Sequence, residues 1–145
     1  LLKLSINTLV KDDSLSCVNL FRYISYEEAQ DKNESKVVTD PNGIALYYSR
    51  EPVPTTWLGE EKIKYKAEVA VMPFTADSIT DFANLPMGEL EDIESNDMLR
   101  FVEHGRKVKI VESPDIALSV DTPNDISRVE KLMQQDPLFY EYKDI

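Results

Sequence analysis

The chain has 145 residues, 42% of them hydrophobic, and its 27 acidic against 16 basic side chains give a net charge of −11. That size and apolar fraction suit one folded domain and exclude a disordered chain, while the charge excludes binding to nucleic acid or anionic membrane through accumulated Lys and Arg. No apolar run approaches the ~20 residues of a membrane span, no signal peptide is visible, and the lone Cys17 cannot form an internal disulfide, so a reducing, cytoplasmic compartment is expected.

Leu2, Ile6, Leu9 and Val10 recur at helical spacing, predicting a helix over residues 1–11 that Asp12-Asp13-Ser14 ends. It starts in mid-pattern with no initiator methionine, which suggests a piece of a longer polypeptide. Residues 15–21 read as a buried strand, with Cys17 as a buried thiol inside it. Ser25 and Glu28 have capping-box spacing and open a short helix through Gln30. Val37-Val38-Thr39, the turn Asp40-Pro41-Asn42-Gly43 and Ile44 to Tyr48 make a β-hairpin. Residues 55–65 look like a surface loop.

Ala67 to Met72 alternates into a strand, and Thr75 caps a helix to Phe82. Leu90 to His104 reads as one longer helix, with Gly105 at its C-terminal cap. Residues 106–112 and 116–120 are expected strands. A last helix has Thr122 as cap, Pro123 at its first position and an apolar face of Ile126, Val129, Leu132 and Met133. Strands alternate with helices apart from one inserted hairpin, so the fold class is α/β in a single domain over 1–145.

Three places can carry chemistry. At 100° per residue, Leu90, Ile93, Asp97 and Phe101 share a helical face, with Glu94 one turn before Asp97. Asp97 either reaches water from a half-buried face or faces a cleft to hydrogen-bond a polyhydroxylated ligand. Asp121 stands at a strand-to-helix junction, where α/β proteins hold ligands. Its carboxylate either serves the helix N-terminus or binds Mg²⁺, which needs only one or two protein carboxylates beside phosphate oxygens. Arg50 follows Tyr47-Tyr48 in a Pro-flanked turn, where it either pairs with a nearby acid such as Glu51 or grips a carboxylate or phosphate bidentately. His104, the only histidine, reads as structural, and there is no Gly-rich phosphate loop.

Ser35-Lys36-Val37-Val38-Thr39, Asn42-Gly43, Ala45-Leu46-Tyr47-Tyr48-Ser49-Arg50 and Pro52-Val53-Pro54 occur in this order, followed by Leu90-Glu91-Asp92-Ile93-Glu94, Asp97-Met98-Leu99-Arg100 and Ser119-Val120-Asp121-Thr122-Pro123-Asn124-Asp125. This series closely resembles the 3-deoxy-manno-octulosonate (Kdo) cytidylyltransferases, or CMP-Kdo synthetases, and only their C-terminal half. The resemblance implies a partial nucleotide-diphospho-sugar transferase (Rossmann-like) fold without the N-terminal nucleotide-binding half. It implies a Mg²⁺-dependent transfer of CMP from CTP to an acidic sugar with release of pyrophosphate, in lipopolysaccharide biosynthesis. It assigns Asp121 to the metal, and Arg50, Glu94 and Asp97 to the sugar or phosphate, with no catalytic side chain in this half.

The hairpin and loop over 36–66 would belong to a homodimer interface. Activity is expected only in the complete protein. Two departures from the family motif stand out: Glu68 replaces a sugar-contacting histidine, and Met98 replaces a glutamine. They leave open a related transferase for another acidic substrate, and also an inactive dimerisation or interaction module.

Overall fold

A computed structural model describes residues 1–59, 63–114, 120 and 123–142. Its elements are α1 (Leu2–Leu9), β1 (Cys17–Ile24), α2 (Tyr26–Ala29), β2 (Lys36–Thr39), β3 (Ala45–Ser49), β4 (Tyr65–Val69), α3 (Ala76–Asn84), α4 (Glu89–Glu94), α5 (Met98–Glu103), β5 (Val108–Glu112), α6 (Pro123–Met133) and α7 (Pro137–Tyr142). They fall into two units, Leu1–Asp115 and Ile116–Ile145.

The first unit is built on a five-stranded sheet of order β3-β2-β4-β1-β5. β1 pairs antiparallel with β4 and parallel with β5, as an α/β fold requires of strands joined by a helical crossover. A strand with neighbours on both sides and layers on both faces reads as a continuous apolar run rather than an alternation. β1 shows this at its start, where Cys17, Val18, Asn19, Leu20 and Phe21 are all buried.

Alternation along β1 sends Cys17 and Phe21 to one face and Val18 and Ile24 to the other. On the first face α5 lays Met98, Leu99 and Phe101 against Cys17, Phe21, Val37, Tyr48, Val108 and Ile110. Phe74, Phe82 and Phe101 meet there as a triad with centroids 5.1 to 6.1 Å apart. On the second face α1 covers Val18 through Leu9, and α2 covers Ala67 and Tyr65 through Ala29.

Local signals set most of the boundaries. Ser25 and Glu28 form the expected capping box, and Thr75 forms one with Ser78. Asp40 Oδ1 accepts from the amides of Asn42 and Ile44, and Gly43 has φ +74°, so the hairpin turn stands where it was predicted. Asp12 similarly takes the Ser14 amide just beyond α1. Cys17 is buried as expected, and burial pushes its thiol up to about 12. β1 runs to Ile24, three residues past the predicted end, and β4 starts at Tyr65 and stops at Val69.

The predicted single helix over Leu90–His104 is instead two helices. α4 ends at Ser95, whose backbone is left-handed at φ 48°, and α5 starts again at Met98. The run Ser95-Asn96-Asp97 has side chains that compete with helical hydrogen bonds, and here they win. The shared face predicted for Leu90, Ile93, Asp97 and Phe101 is lost with the break. Ile93 is 67% exposed while Phe101 is wholly buried, and Asp97 reaches water.

Glu103, at the end of α5, reaches back to cap α4, accepting from the amides of Leu90 at 2.9 Å and Glu91 at 3.1 Å. Gly88 makes room for that carboxylate, since a Cβ there would lie 2.0 Å from Glu103 Oε2. Gly88→Ala is therefore expected to displace the cap and cost about 1–2 kcal/mol, read as a lower urea midpoint at unchanged slope.

The second unit contains α6 and α7. Pro123 opens α6, as predicted. The predicted strand 116–120, apart from Val120, and the residues Asp121 and Thr122 lie outside the described residues. Among the described residues no helix is long and apolar enough to cross a membrane.

Candidate functional site

The corner between α4 and α5 faces the end of β3, and the predicted residues Arg50 and Glu94 meet there. Glu94 accepts from the Arg50 amide at 2.7 Å, the Tyr47 hydroxyl at 2.8 Å and the Ser49 hydroxyl at 3.2 Å. Burial pushes this carboxyl up, but the three hydrogen bonds and the Arg50 charge outweigh it and hold Glu94 below its ordinary range. The same contact to the Tyr47 phenol adds to burial in raising that hydroxyl.

Arg50 is spread over four backbone carbonyls. Its Nε donates to Glu94 O at 3.0 Å, its Nη1 to Lys32 O and Asn33 O, and its Nη2 to Ser95 O at 2.8 Å. The guanidinium thereby bridges the α4–α5 corner, through Glu94 O and Ser95 O, to the carbonyls of residues 32 and 33. The alternative partner Glu51 is bound by Lys32 instead, at 2.5 Å.

Beneath Arg50 lies a residue the sequence did not single out. Lys36 is fully buried, and its ammonium donates to the carbonyls of Asp31 at 3.0 Å, Glu34 at 2.6 Å and Arg50 at 2.5 Å. Burial lowers its pKa, partly offset by the surrounding acids. Lys36 and Arg50 together tie the 31–34 loop to the end of β3 and to the corner.

Asp97 sits at the cap position of α5 with its side chain in water, on an open cleft lined by Met87, Glu91, Asp92, Ser95, Asn96 and Asp97. Glu91 is held there by Arg100 in a two-point pair at 2.8 and 2.5 Å, and the guanidinium stacks 4.4 Å over Phe82. The hydrogen bonds from Arg100 lower the Glu91 carboxyl against its burial. Asn96, also missed, is buried beside Asp97 and bonds across to Glu68 on β4. Burial raises the Glu68 carboxyl and the Asp97 charge adds to it, which the hydrogen bonds from Asn96 and Ser35 do not cancel. The available signal for Asn96 was its place in a turn-forming triplet within a helical pattern.

Arg50 and Glu94 thus meet directly, Asp97 stands at the start of α5 on a cleft that neither of them lines, and Asp121 lies outside the described residues. Among the described residues no three His, Cys, Asp or Glu side chains are grouped to hold a metal ion. His104 closes α5, with its Nδ1 2.8 Å from Arg100 O, a structural place.

A 3-deoxy-manno-octulosonate cytidylyltransferase of Anaeromyxobacter sp. (strain Fw109-5) is 36% identical over 135 residues, which are 92% of this chain and 55% of that protein. A solved structure of CMP:2-keto-3-deoxy-manno-octonic acid synthetase, complexed with CTP, superposes with a TM-score of 0.83 at 29% identity, again over 92% of this chain and 55% of the other. The chain matches the C-terminal half of the Kdo cytidylyltransferases. It spans about half the length of the curated relatives it matches. An 8-amino-3,8-dideoxy-manno-octulosonate cytidylyltransferase of Shewanella baltica (strain OS155 / ATCC BAA-1091) is also 36% identical, over 80% of this chain and 47% of that relative. No family model matches the chain. The mixed sheet with its inserted hairpin is the partial nucleotidyltransferase fold that the motif series predicted.

Proposed function

We propose that this chain is the acceptor-side half of a CMP-sugar synthetase, which transfers CMP from CTP to Kdo or a related acidic sugar and releases pyrophosphate. The observation that carries the reading is the alignment of 92% of the chain, at 36% identity, with a Kdo cytidylyltransferase. Asp97, on the open cleft, is the residue proposed to meet the sugar. Arg50 and Glu94 hold the corner that carries it, and any Arg50 contact with the ligand is limited to what its backbone bonds leave.

The sugar's hydroxyl attacks the α-phosphate of CTP, the bond to pyrophosphate breaks, and positioning does most of the work in such a transfer. Mg²⁺, with Asp121 as its ligand in this half, belongs to the proposal as the charge that stabilises the phosphates. A homodimer through residues 36–66 and a cytoplasmic location complete the reading.

The test uses a full-length protein in which this chain is joined to a nucleotide-binding half, supplied with CTP, Mg²⁺ and a panel of acidic sugars. Pyrophosphate release with Kdo or a close relative is expected, and Asp121→Ala should reduce it by about 100-fold or more. Undiminished release in that variant would remove Asp121 from the metal. No release with any sugar, from a protein that still dimerises, would favour the inactive dimerisation module.

A further inference from the structure

We propose that Glu68 is a positioning residue: through Asn96 it fixes Asp97 at the rim of the cleft, a role that rests on the synthetase reading. Asn96 is 7% exposed, and its amide uses both of its ends. The Oδ1 accepts from the Met98 amide at 3.0 Å, closing a turn around Asp97. The Nδ2 donates to Glu68 Oε2 at 2.7 Å and to Ser35 Oγ at 2.9 Å. Glu68 is itself fixed to the sheet, since its amide donates to Ser35 O at 2.8 Å.

The backbone on either side of Asp97 is pinned as well. Arg50 holds the Ser95 carbonyl, the Leu99 amide donates to Asn96 O, and the Arg100 amide donates to Asp97 O. Asp97 therefore stands on a loop that, among the described residues, is anchored to β4 by the Asn96–Glu68 side-chain bond. The Asn96 side-chain amide accepts from Met98 through its oxygen and donates to the Glu68 carboxylate through its nitrogen. The bond thus has a direction, with the donor on the corner and the acceptor on the strand, and that direction can be reversed.

Asn96→Asp keeps the oxygen that holds Met98 and, at a pH where the raised Glu68 carboxyl is ionised, sets two carboxylates against each other at hydrogen-bond distance. Glu68→Gln then supplies a donor from the strand. The measurement is amide hydrogen exchange at Asp97 and Met98 in the chain and its variants. Asn96→Asp is expected to speed exchange at Met98 by about tenfold to a hundredfold, and adding Glu68→Gln is expected to return it to near the parent rate. If Asn96→Asp does not fold, a folded double variant is the same rescue. Unchanged exchange in Asn96→Asp, or a double variant no better than the single, overturns the latch.

In the full-length protein the single variant should raise the KM for Kdo about tenfold, leave that for CTP unchanged, and be rescued by the second change. An unchanged KM for Kdo would overturn the positioning role. A parent protein without turnover would count against the synthetase reading, while the exchange comparison still decides the latch.

Discussion

Glu94→Ala is expected to cost about 3 kcal/mol of folding stability at neutral pH, because it strands three donors at once. The Arg50 amide, the Tyr47 hydroxyl and the Ser49 hydroxyl all converge on this carboxylate, and they come from the strand end that Arg50 and Lys36 organise. Glu94→Gln isolates the charge, since it keeps an accepting oxygen. The folded-state carboxyl is held below its ordinary 4.5, so its stabilising effect is fully present above that pH and is lost as pH falls through the folded value. The gap in unfolding midpoint between Glu94→Gln and the parent should therefore be wide at pH 7 and narrow in acid. A gap independent of pH would mean the charge contributes nothing, and that shape alone holds the corner.

Lys36→Met should be as damaging, at about 3 kcal/mol, although it fills the same space with a more apolar chain. The buried ammonium satisfies three carbonyls, those of Asp31, Glu34 and Arg50, and methionine leaves all three without it. Chemical denaturation gives the cost, and amide exchange gives its location: residues 31–34 and Arg50 should lose protection while α1 keeps it. A variant as stable as the parent would show that water replaces the ammonium. Burial has lowered this lysine's pKa, so below its folded value both states are protonated and the penalty is carried in full. This part of the stability should rise with pH between that folded value and the ordinary 10.5.

Of these two residues the sequence singled out only Glu94. Glu94 and Arg50 lie in motifs whose order pointed to the Kdo cytidylyltransferases, and the capping box at Ser25 and the cap at Thr75 were legible because a cap needs only a residue and its near neighbours. The hairpin at Asp40–Gly43 was legible for the same local reason. Lys36 reads in sequence as one more polar residue beside a strand. Its burial depends on carbonyls brought in from Asp31, Glu34 and Arg50, and periodicity carries no information about those.

The single helix predicted over Leu90–His104 failed for a related reason. Apolar spacing continues across Ser95-Asn96-Asp97, but Arg50 takes the carbonyls of Glu94 and Ser95, and Asn96 turns its amide toward Glu68 and Met98. Those partners are 28 and more residues away along the chain for Glu68 and Arg50. The sequence by itself determined the α/β class, most caps and turns, the buried strand β1 and the family match, because each depends on neighbours a few residues apart or on motif order. Only the tertiary structure decided that Arg50 and Glu94 brace the corner, that Asn96 anchors Asp97 and that Lys36 is buried. Hydrogen bonds between distant segments exist only once the sheet has brought their donors and acceptors together.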